Sequence, residues 1–241
     1  MLRVPFSLLL LMMMTAAAPA GSGDREAGGD DENGAPRSGG RSESIELPRP
    51  DRDGELTVEQ ALERRRSVRE YSDEPLTFAE LGQLLWAAQG ITEPRRGFRA
   101  APSAGATFPM EVYAAAGDVD ELPAGLYRYV PDGHRLVRVA EGDHRPALFE
   151  SGLRQAPLAE APLVLAFTAV VERTASRYGA RAERYVQIEA GHLSQNIYLQ
   201  CEALGLATVA IGAFHDDELS RALALDDGER PLYLMPVGRR R

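Results

Sequence analysis

In the second half of the chain runs APLVLAFTAVV (161–171), eleven residues in which Thr168 is the one polar side chain. A strand turns successive side chains to opposite faces, so an unbroken apolar run needs cover on both. The chain must therefore build a sheet with packed layers on either side, which excludes a sheet with one wet face. Helices able to supply that cover are legible nearby. In ERYVQIEAGHLSQNIYLQCEALG (183–205), Val186, Ala190, Leu193, Ile197, Cys201 and Leu204 recur three or four residues apart, and Gly205 stops the helix. In LTFAELGQLLWAAQG (76–90), Thr77 and Glu80 form a capping box, Leu76 and Leu81 staple the entry, and Leu81, Leu84, Leu85 and Ala88 form the buried face up to Gly90. LTVEQALERRRS (56–67) repeats the device with Thr57, Gln60, Leu56 and Ala61.

Further strands are expected at 111–116, 126–130, 135–139, 208–211 and 232–237, the second and third of these joined by the hairpin signal Pro131-Asp132-Gly133. The stretch RRGFRAAPSAGATFP (95–109) lacks periodicity and reads as a loop. Helices before, between and after strands, with hairpin and crossover connections, give an α+β fold with helices packed around a sheet.

The chain of 241 residues carries one such domain, expected at 51–241. Residues 1–20 combine an early cation (Arg3), a short apolar run (8–14) and the ending Ala18-Pro19-Ala20, the pattern of an export signal cut before Gly21. The expected location is therefore periplasmic or secreted; the alternative is an uncleaved N-terminal anchor. The run is too short to cross a bilayer comfortably, so stable membrane insertion after signal removal is not expected. Residues 21–50 are rich in Gly, Asp, Ser and Pro and read as a flexible tether.

A net charge of −9 excludes non-specific nucleic-acid binding, which needs a positive surplus. One cysteine, Cys201, excludes a disulfide framework and a cysteine-built zinc site, and its place on the apolar stripe assigns it to packing. Against that acidic background, RRRSVREYSDEP (64–75) gathers positive charge. Arg65, Ser67 and Arg69 alternate, so in an extended segment they point one way. Arginine forks suit phosphate oxygens, but cations at a helix C-terminus are favourable with no ligand at all, and the residues alone leave both readings open. APSAG (101–105) is a loop of small residues that a flat ligand can approach closely, and AIGAF (210–214) sets Gly212 and Ala213 just past a strand, where ligands often bind.

Together and in order, RRSVREY, LGQLLWAAQGI, APSAGATFPMEVY, GLYRY, RYVQIEAGHLSQNIYLQCEALGL, IGAF and LYLMPVGR resemble the SagB/ThcOx dehydrogenase branch of the flavin-dependent nitroreductase family, over about residues 56–239. The resemblance implies a nitroreductase-like α+β fold, a central mostly antiparallel sheet flanked by helices, with FMN at the interface of a homodimer. It implies that Arg65, Ser67 and Arg69 hold the FMN phosphate and ribityl chain, that Pro102, Ser103 and Ala104 pack near the flavin ring, and that the backbone of Gly212 and Ala213 faces the ring edge. Arg239 matches a basic position near the phosphate, with Arg240 or Arg241 as alternatives.

Departures narrow the resemblance. Ala106 and Phe108 stand where many nitroreductases have Asn and Gln, which favours the SagB-like branch. Azoline-oxidising members have a Lys-Tyr pair; this chain offers Arg177-Tyr178 as the catalytic candidates. A guanidinium is a poor base, so Tyr178 is left to donate or relay the proton. Glu189, His192 and Asn196 form a polar stripe that reads as hydrogen bonding within a buried helix or interface, with no metal site expected. His134, His144 and His215 read as surface residues. The implied activity is FMN-dependent hydride transfer with a small or peptide-derived substrate. The alternatives are an NAD(P)H-dependent nitro or quinone reductase, and a flavin-binding protein without turnover.

Overall fold

The computed structural model describes residues 44–241. The expected export signal and the first part of the expected tether (21–43) lie outside the described residues, whereas residues 44–50 belong to the fold. Along the chain the elements are β1 (Ser44–Glu46), α1 (Val58–Arg64), α2 (Phe78–Gln89), β2 (Ile91–Glu93), β3 (Phe98–Arg99), β4 (Met110–Ala116), β5 (Gly125–Val130), β6 (Arg135–Glu141), α3 (Arg145–Ser151), α4 (Ala156–Glu160), β7 (Leu163–Val170), α5 (Glu172–Tyr178), α6 (Ala182–Leu204), β8 (Leu206–Thr208), α7 (Asp216–Ala222) and β9 (Glu229–Arg239). Seven strands form one sheet in the order β1-β6-β5-β4-β7-β9-β8, and each neighbouring pair is antiparallel. Strands β2 and β3 pair separately as a small hairpin.

The apolar run becomes β7, between β4 and β9. Its residues alternate between two cores. Leu163, Leu165 and Phe167 pack with Leu84 and Leu85 of α2 and Leu193 and Ile197 of α6. Val164 and Ala166 pack on the other face with Leu148 of α3, Leu158 of α4 and Leu219 of α7. Thr168 is fully buried, and its hydroxyl donates to Glu229, which also accepts from the Tyr113 hydroxyl at 3.2 Å. One polar residue is tolerated in the run because it has a partner.

Both capping boxes form. The Gln60 amide donates to Thr57 Oγ1 at 3.3 Å and the Thr57 amide to Gln60 Oε1 at 3.1 Å; Thr77 and Glu80 exchange the same pair at 3.2 and 2.8 Å. Helix α6 stops at Gly205, whose φ of 68° lies in the left-handed region. Cys201 is buried and burial raises its thiol pKa, so it packs and does not react.

Several local readings change, among them His144, read as surface and found half-buried. The strand expected at 208–211 begins at Leu206, because the Gly205 turn delivers the chain directly onto β9; Ile211 retains only a bridge to Leu234. The expected loop at 95–109 contains β3 and a 3-10 turn at Ala104–Ala106. His134 is half-buried beneath the β5–β6 turn, with Nδ1 2.9 Å from the Tyr129 hydroxyl, and burial lowers its pKa.

Candidate active site

After α1 the arginine-rich segment is clipped to the sheet. The Val68 amide donates to Thr208 O at 3.0 Å and the Ser72 amide to Arg239 O at 3.0 Å. Tyr71 is buried, and its hydroxyl is 3.0 Å from Val68 O and 3.2 Å from Pro236 O. Its ring lies directly on Gly238, where an added Cβ would come within 2.8 Å of it. That contact explains the glycine of the PVGR ending.

Within the clipped segment the three arginines do different work. Arg66 donates to Glu63 O at 2.9 Å and Arg65 O at 2.7 Å, so this one is a helix-end cation. Arg65 instead stacks its guanidinium 5.0 Å from the centroid of the Tyr198 ring, and Ser67 Oγ lies 3.0 Å from the Tyr198 hydroxyl. The same hydroxyl accepts the Ala210 amide at 2.8 Å. Tyr198 thus joins the arginine segment to the strand exit that carries Gly212 and Ala213, both exposed, with Ala213 O accepting from Gln155 Nε2 at 3.0 Å. Arg69 is exposed on the same segment. The sequence reading missed Tyr198; its only trace there is a phenol beside the apolar stripe of α6, and spacing does not say what a hydroxyl meets.

Arg239 is directed elsewhere. Its guanidinium is 3.0 Å from both carboxylate oxygens of Glu80 and 3.5 Å from Glu74, and Arg240 pairs with Glu202. Their charges are already compensated. Neither joins Arg65 and Ser67 at Tyr198.

A second group forms around the small-residue loop. Pro102, Ser103 and Ala104 border a cavity of about 260 Å³ with Tyr185, Ile188, Glu189 and His192 of α6. The loop is wound tightly: Gly105, Ala106 and Phe108 have φ of 61°, 54° and 46°. For the two non-glycine residues that conformation costs roughly 1–2 kcal/mol each. Several contacts hold it. Ser103 Oγ accepts the Phe108 amide at 2.9 Å, Arg99 lies 4.3 Å from the Phe108 ring centroid, and Arg177 donates to Gly105 O at 3.0 Å. A Cβ on Gly105 would sit 2.6 Å from the Tyr178 hydroxyl. Tyr178 in turn meets Tyr185 edge-on, centroids 4.9 Å apart. The structure therefore brings Arg177 and Tyr178 onto the loop of Pro102, Ser103 and Ala104, apart from the Tyr198 group.

The polar stripe of α6 divides into three. Asn196 donates to Ala87 O at 3.0 Å, as expected of a buried stripe. His192 is exposed at the cavity. Glu189 is only 2% exposed, and its Oε1 has no hydrogen-bond partner. Burial pushes its carboxyl up to about 7, against the opposing pull of Ser103, Arg99, the Ala104 amide and Gln89. Among the described residues no group of His, Cys, Asp or Glu is arranged to hold a metal ion.

Both groups touch α6, one at Glu189 and the other at Tyr198. Nine residues of helix correspond to a rise of about 13.5 Å and roughly two and a half turns, so the two positions lie on opposite sides of the helix. The two groups on this chain therefore face different ways.

The Nitroreductase family model matches residues 62–239. The nitroreductase-type protein MJ1384 of Methanocaldococcus jannaschii is 45% identical over 198 residues, covering 82% of this chain and 98% of that one. The crystal structure of a nitroreductase-type protein from Ralstonia eutropha superimposes with a TM-score of 0.71 at 32% identity, over 84% of this chain and 92% of that one. The Microcin B17-processing protein McbC of Escherichia coli is 26% identical over 157 residues, 63% of this chain and 57% of its own length. With a family match that runs from the arginine segment to the last strand, the chain belongs to the nitroreductase family of oxidoreductases.

Proposed function

We propose that the chain is an FMN-dependent dehydrogenase of the SagB/ThcOx type, acting as a homodimer on a small or peptide-derived substrate. The observation that carries this reading is the placement of two half-sites on opposite sides of α6. A second copy packed along that helix would set the loop of Pro102–Ala104 from one chain beside Arg65 and Ser67 of the other, completing two sites per dimer.

The residues fit FMN. Arg65, Ser67 and exposed Arg69 offer charged and hydroxyl donors for a phosphate. The glycine-bearing turn at Gly212 and Ala213 presents exposed backbone, and a buried acid without a full set of partners lies under the small-residue loop. When bound, FMN supplies hydride exchange, and the protein supplies position and proton handling. In this chain Arg177 steadies the loop through Gly105, and Tyr178 is the residue placed to hand a proton across at its hydroxyl.

Likeness to McbC, a peptide-processing protein, supports a peptide-derived substrate. The second reading, an NAD(P)H-dependent nitro or quinone reductase, is favoured by the 45% identity to MJ1384 and by arginine at 177 in place of the lysine of azoline oxidisers. The export pattern in residues 1–20 favours the dehydrogenase, since free NAD(P)H is a cytoplasmic reductant. The test is anaerobic mixing of the FMN-loaded full chain with a thiazoline-containing peptide or with NADH, following flavin bleaching. Bleaching by the peptide with Tyr178 intact and not in Tyr178→Phe supports the dehydrogenase. Fast bleaching by NADH alone supports the reductase, and bleaching by neither leaves a flavin carrier.

A further inference from the structure

The Oε1 of Glu189 has no hydrogen-bond partner, and the residue borders the cavity under the loop of Pro102–Ala104. A carboxyl so buried is unfavourable when charged, and an uncharged ligand that fills the cavity beside it replaces polarisable solvent with a less polar neighbour. The neutral carboxyl has a further advantage: it can donate a hydrogen bond to a ring nitrogen or carbonyl, whereas the carboxylate can only accept.

The groups facing it do not supply a full counter-charge. Arg99 of β3 is a fixed cation that acts on it, but it also faces Glu111, stacks on Phe108 and donates to Gln89 Oε1 at 2.9 Å. Gln89 of α2 also faces the carboxyl, as a neutral amide. From the loop come the Ser103 hydroxyl and the Ala104 amide, both neutral. On α6 itself, Tyr185 and His192 border the same cavity.

We infer that Glu189 is a proton-linked gate on the ring loop: when a flat, uncharged heteroaromatic ligand covers the cavity, the carboxyl takes up one proton, so ligand and proton bind together. This rests on the flavin reading above and adds to it a pH dependence set by one residue of this chain. In the free protein the carboxyl is half ionised near pH 7. If it stays protonated under the ligand, affinity falls about tenfold between pH 6 and pH 8, and proton uptake approaches one per ligand at pH 8.

The experiment is calorimetric titration of the full chain with riboflavin, which presents the ring without a titrating phosphate, at pH 6 and pH 8 in buffers of different ionisation enthalpy. Wild type is expected to show the tenfold slope and the proton uptake. Glu189→Gln, a permanently neutral near-isostere, is expected to bind at pH 8 as wild type does at pH 6, with no proton taken up. His192→Ala, which removes the imidazole bordering the same cavity, is expected to keep the slope. A pH-independent wild type, an unchanged slope in Glu189→Gln, or a slope lost in His192→Ala overturns the gate while leaving flavin binding standing. Failure of every variant to bind riboflavin or FMN overturns the flavin reading and the gate with it.

Discussion

Replacing Tyr198 by Phe isolates one hydroxyl at the centre of the arginine group. The ring remains, so the stacking of Arg65 at 5.0 Å is kept. Two contacts go: the Ala210 amide loses its acceptor at 2.8 Å, and Ser67 loses its partner at 3.0 Å. Ser67 is exposed and exchanges Tyr198 for water at little cost. The Ala210 amide is half-buried, so the unpaired donor costs about 1–2 kcal/mol, the lower part of the usual range. In a domain of this size that lowers Tm by about 2–8 °C, with the denaturant slope m unchanged. Arg65 and Ser67 also lose the tether that fixes their spacing, so FMN affinity falls about three- to tenfold, equivalent to about 0.7–1.4 kcal/mol. Thermal and urea unfolding give the first quantity, and quenching of flavin fluorescence gives the second. Tyr198→Phe with wild-type Tm and wild-type FMN affinity would refute the assignment of Tyr198 as the joint between the arginine segment and the strand exit.

Arg65→Ala removes a charged donor worth about 1.5–3 kcal/mol and should weaken FMN binding tenfold or more while leaving Tm nearly in place. Gly238→Ala forces a Cβ within 2.8 Å of the Tyr71 ring; it should cost about 1–3 kcal/mol and speed hydrogen exchange at the Val68 amide, because the clip on the arginine segment loosens. Ala106→Gly relieves a φ of 54° and should raise stability by a few tenths to about 1 kcal/mol in urea unfolding, the relieved strain exceeding the added chain entropy. The Glu189 carboxyl, raised from 4.5 to about 7, holds a proton in the folded chain that the unfolded chain has released. Stability should therefore be full below pH 4.5 as far as this group is concerned and fall as pH rises through 7, by on the order of 3 kcal/mol. Urea unfolding at pH 5 and pH 8 checks this, with Glu189→Gln expected to lack that component of the drop.

Much of this architecture is written in short-range patterns. Capping boxes at Thr57 and Thr77, the stripe of α6 and the two-faced run of β7 are local devices, and local devices can be read without coordinates. The expected site residues separate along the same line. Pro102, Ser103 and Ala104 do form a tight loop, and Arg177 and Tyr178 do meet it, because α5 packs directly on that loop through Arg177–Gly105 and Thr174–Thr107. Arg239 was legible as a cation but not as a paired one, since Glu80 stands 159 positions away in sequence. Tyr198 and Glu189 were harder still. Each is an ordinary helical residue whose role comes from what the fold lays against it: an amide and a guanidinium in one case, a small-residue loop in the other. His134 failed for the opposite reason, a residue in a turn signal that the packing of β1 and α2 covers.

The measurement that bears most directly on the two-half-site account is titration of the full chain with FMN, read together by visible absorbance and light scattering. The account requires a yellow protein that saturates at one flavin per chain and scatters as a dimer, with the flavin released by Arg65→Ala. A colourless chain, or a monomer that binds flavin at full stoichiometry, would contradict it.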